Sequence, residues 1–188
     1  MDALLTTFLL AALGEWGDKT QILVLLLAVR FGKPVPVLAG VAVGALANAA
    51  LAAAGGTIVH GFITLRATSL LVAVALLYAG IANFARPKRP DMAEGWRTGP
   101  FLTTAICFLL LEFGDKTQFL TFAISAQYGT PVLAALGATA GVLAAAAPAV
   151  FVGPQLETML PTRRLRFAIG ALLVLAGFVV AIDALRLI

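Results

Sequence analysis

The sequence predicts an all-α polytopic membrane protein, with six transmembrane helices arranged as two inverted-topology three-helix repeats in a single transmembrane domain, 1–188. Three observations predict it. Hydrophobic residues make up 61% of the chain and charged residues 12%, against roughly 25% charged in an average soluble domain. The apolar residues fall into six runs, each near the ~20 residues that cross a hydrocarbon core. The two halves of the chain also align without a gap when shifted by 97 positions, the separation of Glu15 from Glu112.

The first run extends from Ala3 to Ala28. Its start lacks the basic segment and the small-residue cleavage pattern of a signal peptide, so a retained helix is expected. Arg30-Phe-Gly-Lys-Pro34 closes it, and the second run follows from Pro34 to Val59. His60 to Arg66 leads into the third, Thr68 to Ala85. The one sizeable hydrophilic connection, 86–98, holds Asp91, Glu94 and Trp96, the last expected as an interfacial anchor. This connection separates a first repeat, 1–85, from a second, 99–188. The fourth run is Gly99 to Ala126, ending at Gln127-Tyr-Gly-Thr-Pro131. The fifth, Pro131 to Val152, contains Pro148, expected to kink it. Pro161-Thr-Arg-Arg164 precedes the sixth, Leu165 to Leu187. Proline and glycine punctuate the turns as the backbone requires. The only cysteine, Cys107, lies in an apolar run and is read as packing, with no intrachain disulfide to form.

The duplication is dense where the chemistry lies. Thr6-Thr7 falls on Thr103-Thr104, Glu15 on Glu112, and Gly17-Asp18-Lys19-Thr20-Gln21 on Gly114-Asp115-Lys116-Thr117-Gln118. Pro34 falls on Pro131, Gly40 on Gly137, Gly44 on Gly141, and Arg66 on Arg163. Three helices per repeat is an odd number, so the second repeat enters the membrane from the opposite side. Connections one, three and five carry Arg30, Lys33, Arg86, Lys88, Arg89, Arg97, Arg163, Arg164 and Arg166, whereas the other face has Arg66 and Arg186. The positive-inside rule then places the first set in the cytoplasm and both termini outside. The formal charge of +4 therefore reports topology rather than nucleic-acid binding. Inverted repeats place a substrate site at mid-membrane on the interface between halves.

Glu15 and Glu112 fall near the middle of the first and fourth spans, where a charge costs from about 2.5 to more than 10 kcal/mol. On a continuous helix Glu15 and Asp18 stand on one face a turn apart, with Gln21 continuing it; Glu112, Asp115 and Gln118 repeat the pattern. Inverted symmetry would bring the four carboxylates across one cavity. Carboxylate and amide oxygens are hard ligands suited to Mg²⁺, Ca²⁺ and Mn²⁺, and there is no His or Cys cluster to favour softer metals. Lys19 and Lys116 offset part of the charge, leaving minus two from four carboxylates and two ammoniums. A dication balances that, and without metal the crowded carboxylates take up protons. Competition of metal and protons for one site gives antiport.

Gly17 and Gly114 permit close helix approach or a local break that frees backbone groups. Thr20 and Thr117 donate to carboxylates or lend a hydroxyl oxygen. The small faces Gly40-x-x-x-Gly44 and Gly137-x-x-x-Gly141 suit close helix packing. The bland readings are charge compensation for the lysines, an interhelical hydrogen bond for Asn48, whose counterpart is Ala145, and an interfacial position for His60. The basic cluster Arg163-Arg164-Arg166 reads chiefly as a topology signal.

Glu15-Trp-Gly-Asp-Lys-Thr20 and Glu112-Phe-Gly-Asp-Lys-Thr117 resemble the signature of the Gdt family of cation transporters. That signature is two copies of Glu-x-Gly-Asp-(Lys/Arg)-(Ser/Thr), in the first and fourth helices of a six-helix duplicated core. Both copies match at every specified position, and the resemblance covers essentially the whole chain. It implies transport of Mn²⁺ and Ca²⁺ in exchange for protons, with Glu15, Asp18, Glu112 and Asp115 taking part in cation binding. The short connection between halves resembles bacterial members, which implies a manganese exporter of the inner membrane. No cofactor and no enzymatic activity are expected. The metal, protons and the bilayer are the expected partners, and a homo-oligomer is left open.

Three rival classes remain distinguishable. An intramembrane aspartyl protease would use Gly17-Asp18 and Gly114-Asp115 but would not need Glu15, Glu112 or the lysines. An exporter of a small organic cation or basic amino acid would call for a roomier, more aromatic cavity. A divalent-cation channel would line a pore with the same carboxylates.

Overall fold

The computed structural model describes residues 1–85, 90, 95–153, 155 and 162–185, and among these all regular structure is helical. Arg86, Lys88, Arg89, Asp91 and Glu94 of the 86–98 connection, together with Pro161 and Arg186, lie outside the described residues.

The first and fourth predicted spans each turn out to be two helices. The first is α1 (Asp2–Glu15) and α2 (Lys19–Phe31), followed by α3 (Pro34–His60) and α4 (Leu65–Ala82). The second half repeats the series as α5 (Pro100–Glu112), α6 (Lys116–Tyr128), α7 (Pro131–Val152) and α8 (Thr162–Leu185). Pro34 and Pro131 start α3 and α7, where the missing N–H is no loss. Pro148 sits inside α7, which continues to Val152. Among the described residues, four helices, α3, α4, α7 and α8, are long and apolar enough to cross a membrane, with mean hydropathies from 1.8 to 2.5. The short helices are not: the 14 residues of α1, rising about 1.5 Å each, cover roughly 21 Å of a ~30 Å core.

The breaks correct the picture of Glu15 and Asp18 on one continuous helix face. Trp16 is extended at ψ 119, Gly17 takes φ 73, and Asp18 is extended at ψ 173. Phe113, Gly114 and Asp115 repeat this at ψ 119, φ 76 and ψ 170. A positive φ costs an ordinary L-residue about 1–2 kcal/mol, so the glycine of the motif places the break. The second consequence is directional. Glu15 and Glu112 become C-terminal residues of α1 and α5, while Asp18 and Asp115 become N-caps of α2 and α6.

Packing crosses between the halves: α1 and α2 lie on α7, α3 lies on α5, α6 and α7, and α4 lies on α8. The two small-residue faces pack closely against neighbouring helices. A Cβ on Gly44 would meet the Ala105 carbonyl of α5 at 2.9 Å, and one on Gly141 would meet the Ala11 Cβ of α1 at 2.9 Å. Cys107 packs at the margin of a core that includes Phe108, Leu27 and Val41.

Helices α4 and α8 run antiparallel, each capped by an arginine of the other. Arg66, at the start of α4, donates to the carbonyls of Ala184 at 2.7 Å and Leu185 at 2.8 Å. Arg166, near the start of α8, donates to Asn83 O at 3.0 Å and to Ala85 O. The duplication pairs Arg66 with Arg163, yet Arg166 plays its part, one helical turn farther on. Arg163 and Arg164 stay exposed, whereas Arg166 is buried. Arg166 thus has a structural role beside the topology signal expected of its cluster: its charge satisfies the orphan carbonyls ending α4.

Candidate functional site

The two breaks face each other, and their side chains bond across the halves. Lys116 pairs with Asp18, and Lys19 pairs with Asp115 at 3.0 Å. Lys19 also donates to the Leu111 carbonyl at 3.1 Å, placing a cation on the C-terminal end of α5. Neither lysine pairs with the glutamate four residues before it, Glu15 for Lys19 and Glu112 for Lys116, in the manner of a local ion pair. Both threonine hydroxyls of the motifs instead donate to Glu15, Thr20 to one carboxylate oxygen and Thr117 to the other.

The glutamines hold the breaks. Gln21 accepts the Gly17 N–H at 2.9 Å, and Gln118 accepts the Gly114 N–H at 2.6 Å, much as a capping residue reaches back over a helix start. Their amide nitrogens donate to Ala145 O at 2.7 Å and Asn48 O at 3.4 Å. The carbonyl oxygens expected to face an ion are thus engaged by the backbone. The aspartates show the converse. Each occupies an N-cap, but neither side chain caps its helix, because each carboxylate turns to the opposing lysine.

Among the described residues, Glu15, Glu112 and Asp115 each offer a carboxylate oxygen within 4.8 Å of the others. Asp18 stands outside that group. Glu112 Oε1 and Asp115 Oδ2 are buried without a hydrogen-bond partner, a costly condition for oxygens that nothing else satisfies. Glu15 and Glu112 also sit at the negative ends of α1 and α5, where the helix dipole favours a positive charge by about 0.3–1 kcal/mol. Three carboxylates and two helix C-termini therefore converge on one place that suits a cation.

Surroundings differ between the copies. The Lys116–Asp18 pair is closed off, with side-chain exposures of 3% and 12%, against 28% and 16% for Lys19–Asp115. Asp115 borders a cavity of about 670 Å³ walled by Tyr78, Phe119 and Phe122. A smaller space of about 10 Å³ lies beside Glu112, with Asn48, Thr117 and Thr121 on its wall, while its counterpart beside Glu15 has closed to about 0 Å³. Phe108 borders both. Sequence reasoning had no signal for the Leu111 and Ala145 carbonyls. Thr121, a polar residue in an apolar run, did offer one.

Long apolar helices around a buried carboxylate cluster define a class, helical transporters of cations. The chain belongs to the family described as "Divalent cation/proton antiporter GDT1", whose model matches it twice, over residues 3–90 and 100–187. It is also 35% identical over 184 residues to a Vibrio cholerae serotype O1 protein called "Putative manganese exporter", covering 96% of this chain and 91% of that one. No solved structure matches it significantly.

Proposed function

We propose that this protein exports Mn²⁺ from the cytoplasm across the bacterial inner membrane in exchange for protons, by alternating access, and accepts Ca²⁺ at the same site. The observation that carries the reading is the meeting of Glu15, Glu112 and Asp115 from both halves within 4.8 Å. Oxygen-only ligation of this kind suits hard dications. With Lys116 matched to Asp18 and Lys19 to Asp115, Glu15 and Glu112 remain as two uncompensated negative charges. One dication or two protons neutralises them equally. Exchange of one Mn²⁺ for two protons then keeps the site neutral in both states.

In this reading the α1–α2 and α5–α6 pairs are discontinuous spans, so each half crosses the membrane three times and both termini lie outside. The antiparallel course of the equivalent helices α4 and α8 supports inverted repeats. Broken helices meeting at mid-membrane are how such repeats build ion sites. Glu15, Glu112 and Asp115 are the ligands; Asp18 and the two lysines set the charge balance; Thr20 and Thr117 orient Glu15. Engagement of both aspartates by lysines argues against a protease, whose two aspartates must share a water.

The test is purified protein in liposomes, following Mn²⁺ and lumenal pH together under an imposed proton gradient, with Glu15→Gln alongside. Coupled fluxes that vanish in the variant are expected, and Mn²⁺ affinity should fall as pH falls because protons compete for the same oxygens. Mn²⁺ flux with no proton movement would replace the antiporter by a channel or uniporter. No Mn²⁺ flux in folded protein would sink the metal reading.

A further inference from the structure

The structure assigns Asn48 as a neutral oxygen ligand of the transported cation, present in one half only, so that the ion seat lies on the Glu112 side of the site. This rests on the cation-transport reading above and deepens it.

Asn48 lies within α3, 4% exposed, in a helix otherwise apolar or small along that stretch. Its Nδ2 donates to the Leu109 carbonyl of α5 at 3.1 Å. That bond fixes which way the amide points, because a helix carbonyl accepts only and must be met by the NH₂ group. The oxygen is therefore turned to the opposite side, and Asn48 Oδ1 is buried without any hydrogen-bond partner. A buried carbonyl oxygen left unmet costs about 1–3 kcal/mol, so a purely structural asparagine would be a poor choice at this position.

What the residue borders gives that oxygen a use. Asn48 and Glu112 share the wall of the 10 Å³ space, and Glu112 Oε1 is likewise unpartnered. The volume is about that of a single water-sized sphere, enough for one dehydrated dication. A carbonyl oxygen beside a carboxylate is the mixture hard cations take. The other half repeats the helix but not the chemistry: Ala145 and Val142 stand where Asn48 and Ala45 stand, and the space beside Glu15 is closed. Glu15 has both oxygens satisfied by threonines. The two halves thus divide the work, one offering open ligand positions and the other a carboxylate held in place.

The test compares Mn²⁺ binding to purified wild type, Asn48→Ala and Asn48→Asp by calorimetry, with metal-free Tm measured for each. Alanine is the resident of the equivalent position 145, so Asn48→Ala is compatible with the helix. A ligand role predicts that Asn48→Ala weakens Mn²⁺ by at least about tenfold, while Asn48→Asp, which keeps the oxygen and adds charge, binds as tightly as wild type or more so. A structural role predicts that both variants lower the metal-free Tm and leave Mn²⁺ affinity within about twofold, and that result overturns the proposal. A measurement on the unaltered protein guards against misfolded variants. Asn48 and Asn83 are the only asparagines in the chain, so asparagine-selective ¹⁵N labelling gives two side-chain signals. Titration with Ca²⁺ should shift that of Asn48 and spare that of Asn83. Saturable binding with Asn48 unmoved overturns the assignment alone, whereas no saturable binding of either ion by wild type removes the transport reading and this inference with it.

Discussion

The two Glu-x-Gly-Asp-Lys-Thr copies differ in one residue, Trp16 against Phe113, and share a nearly identical backbone break, yet they occupy unlike surroundings. The Asp18–Lys116 pair is sealed and Trp16 is half-buried; Asp115 borders a large cavity and Phe113 is 69% exposed. Asn48 faces one copy, and Ala145 the other. Identical chemistry has thus been given two exposures by what packs on it. An alternating-access carrier needs this asymmetry, since a site open through both copies at once would leak. On the proposed reading the structure is one of two states, with the second copy open and the first closed.

The comparison can be broken most sharply at the glutamates. Glu15 and Glu112 are both buried, at 2% and 3% exposure, and both belong to the carboxylate cluster, so their environments differ less than their hydrogen bonds do. Glu15→Gln and Glu112→Gln should each reduce Mn²⁺ flux by roughly 100-fold or more, the result of removing one charge from a buried site at about 3 kcal/mol or above. If Glu15→Gln transported normally while Glu112→Gln was dead, the cluster would not be a shared site.

The aspartates should separate the copies instead of equating them. Asp18→Asn strands Lys116, which is 3% exposed, and should destabilise the protein by about 3–5 kcal/mol. Asp115→Asn leaves Lys19, 28% exposed, able to extend toward water, and should cost less than half as much. Thermal unfolding of the two variants in detergent measures the difference. Equal losses would mean that the exposures seen here do not govern the pairs.

The smallest effect concerns the break itself. A Cβ on Gly114 meets nothing within 4 Å, so Gly114→Ala is opposed only by its φ of 76. A loss of about 1–2 kcal/mol is expected. A shift in Tm too small to detect would show that the break relaxes without its left-handed residue.

What the sequence by itself determined is what depends on spacing and composition. Apolar run lengths specified α3, α4, α7 and α8 as membrane-length helices, the 97-residue shift exposed two matching series of elements, and the small faces at Gly40, Gly44, Gly137 and Gly141 marked where helices touch. The carboxylates that cluster were legible because an ionisable group in a long apolar run is too costly to be idle. Tertiary structure alone decided the rest. Helix periodicity made Glu15 and Asp18 neighbours on one face; one left-handed glycine put them on separate helices, since a local φ is invisible to a pattern of hydrophobicity. Lys19 has an acid four residues before it and bonds another 96 residues away. Arg166 took the role that alignment gave to Arg163, and Asn48 acquired an unmet oxygen only because α5 presented a carbonyl to its nitrogen. Each of these is a choice among alternatives that the sequence leaves open, and distance in the folded molecule, not order along the chain, makes it.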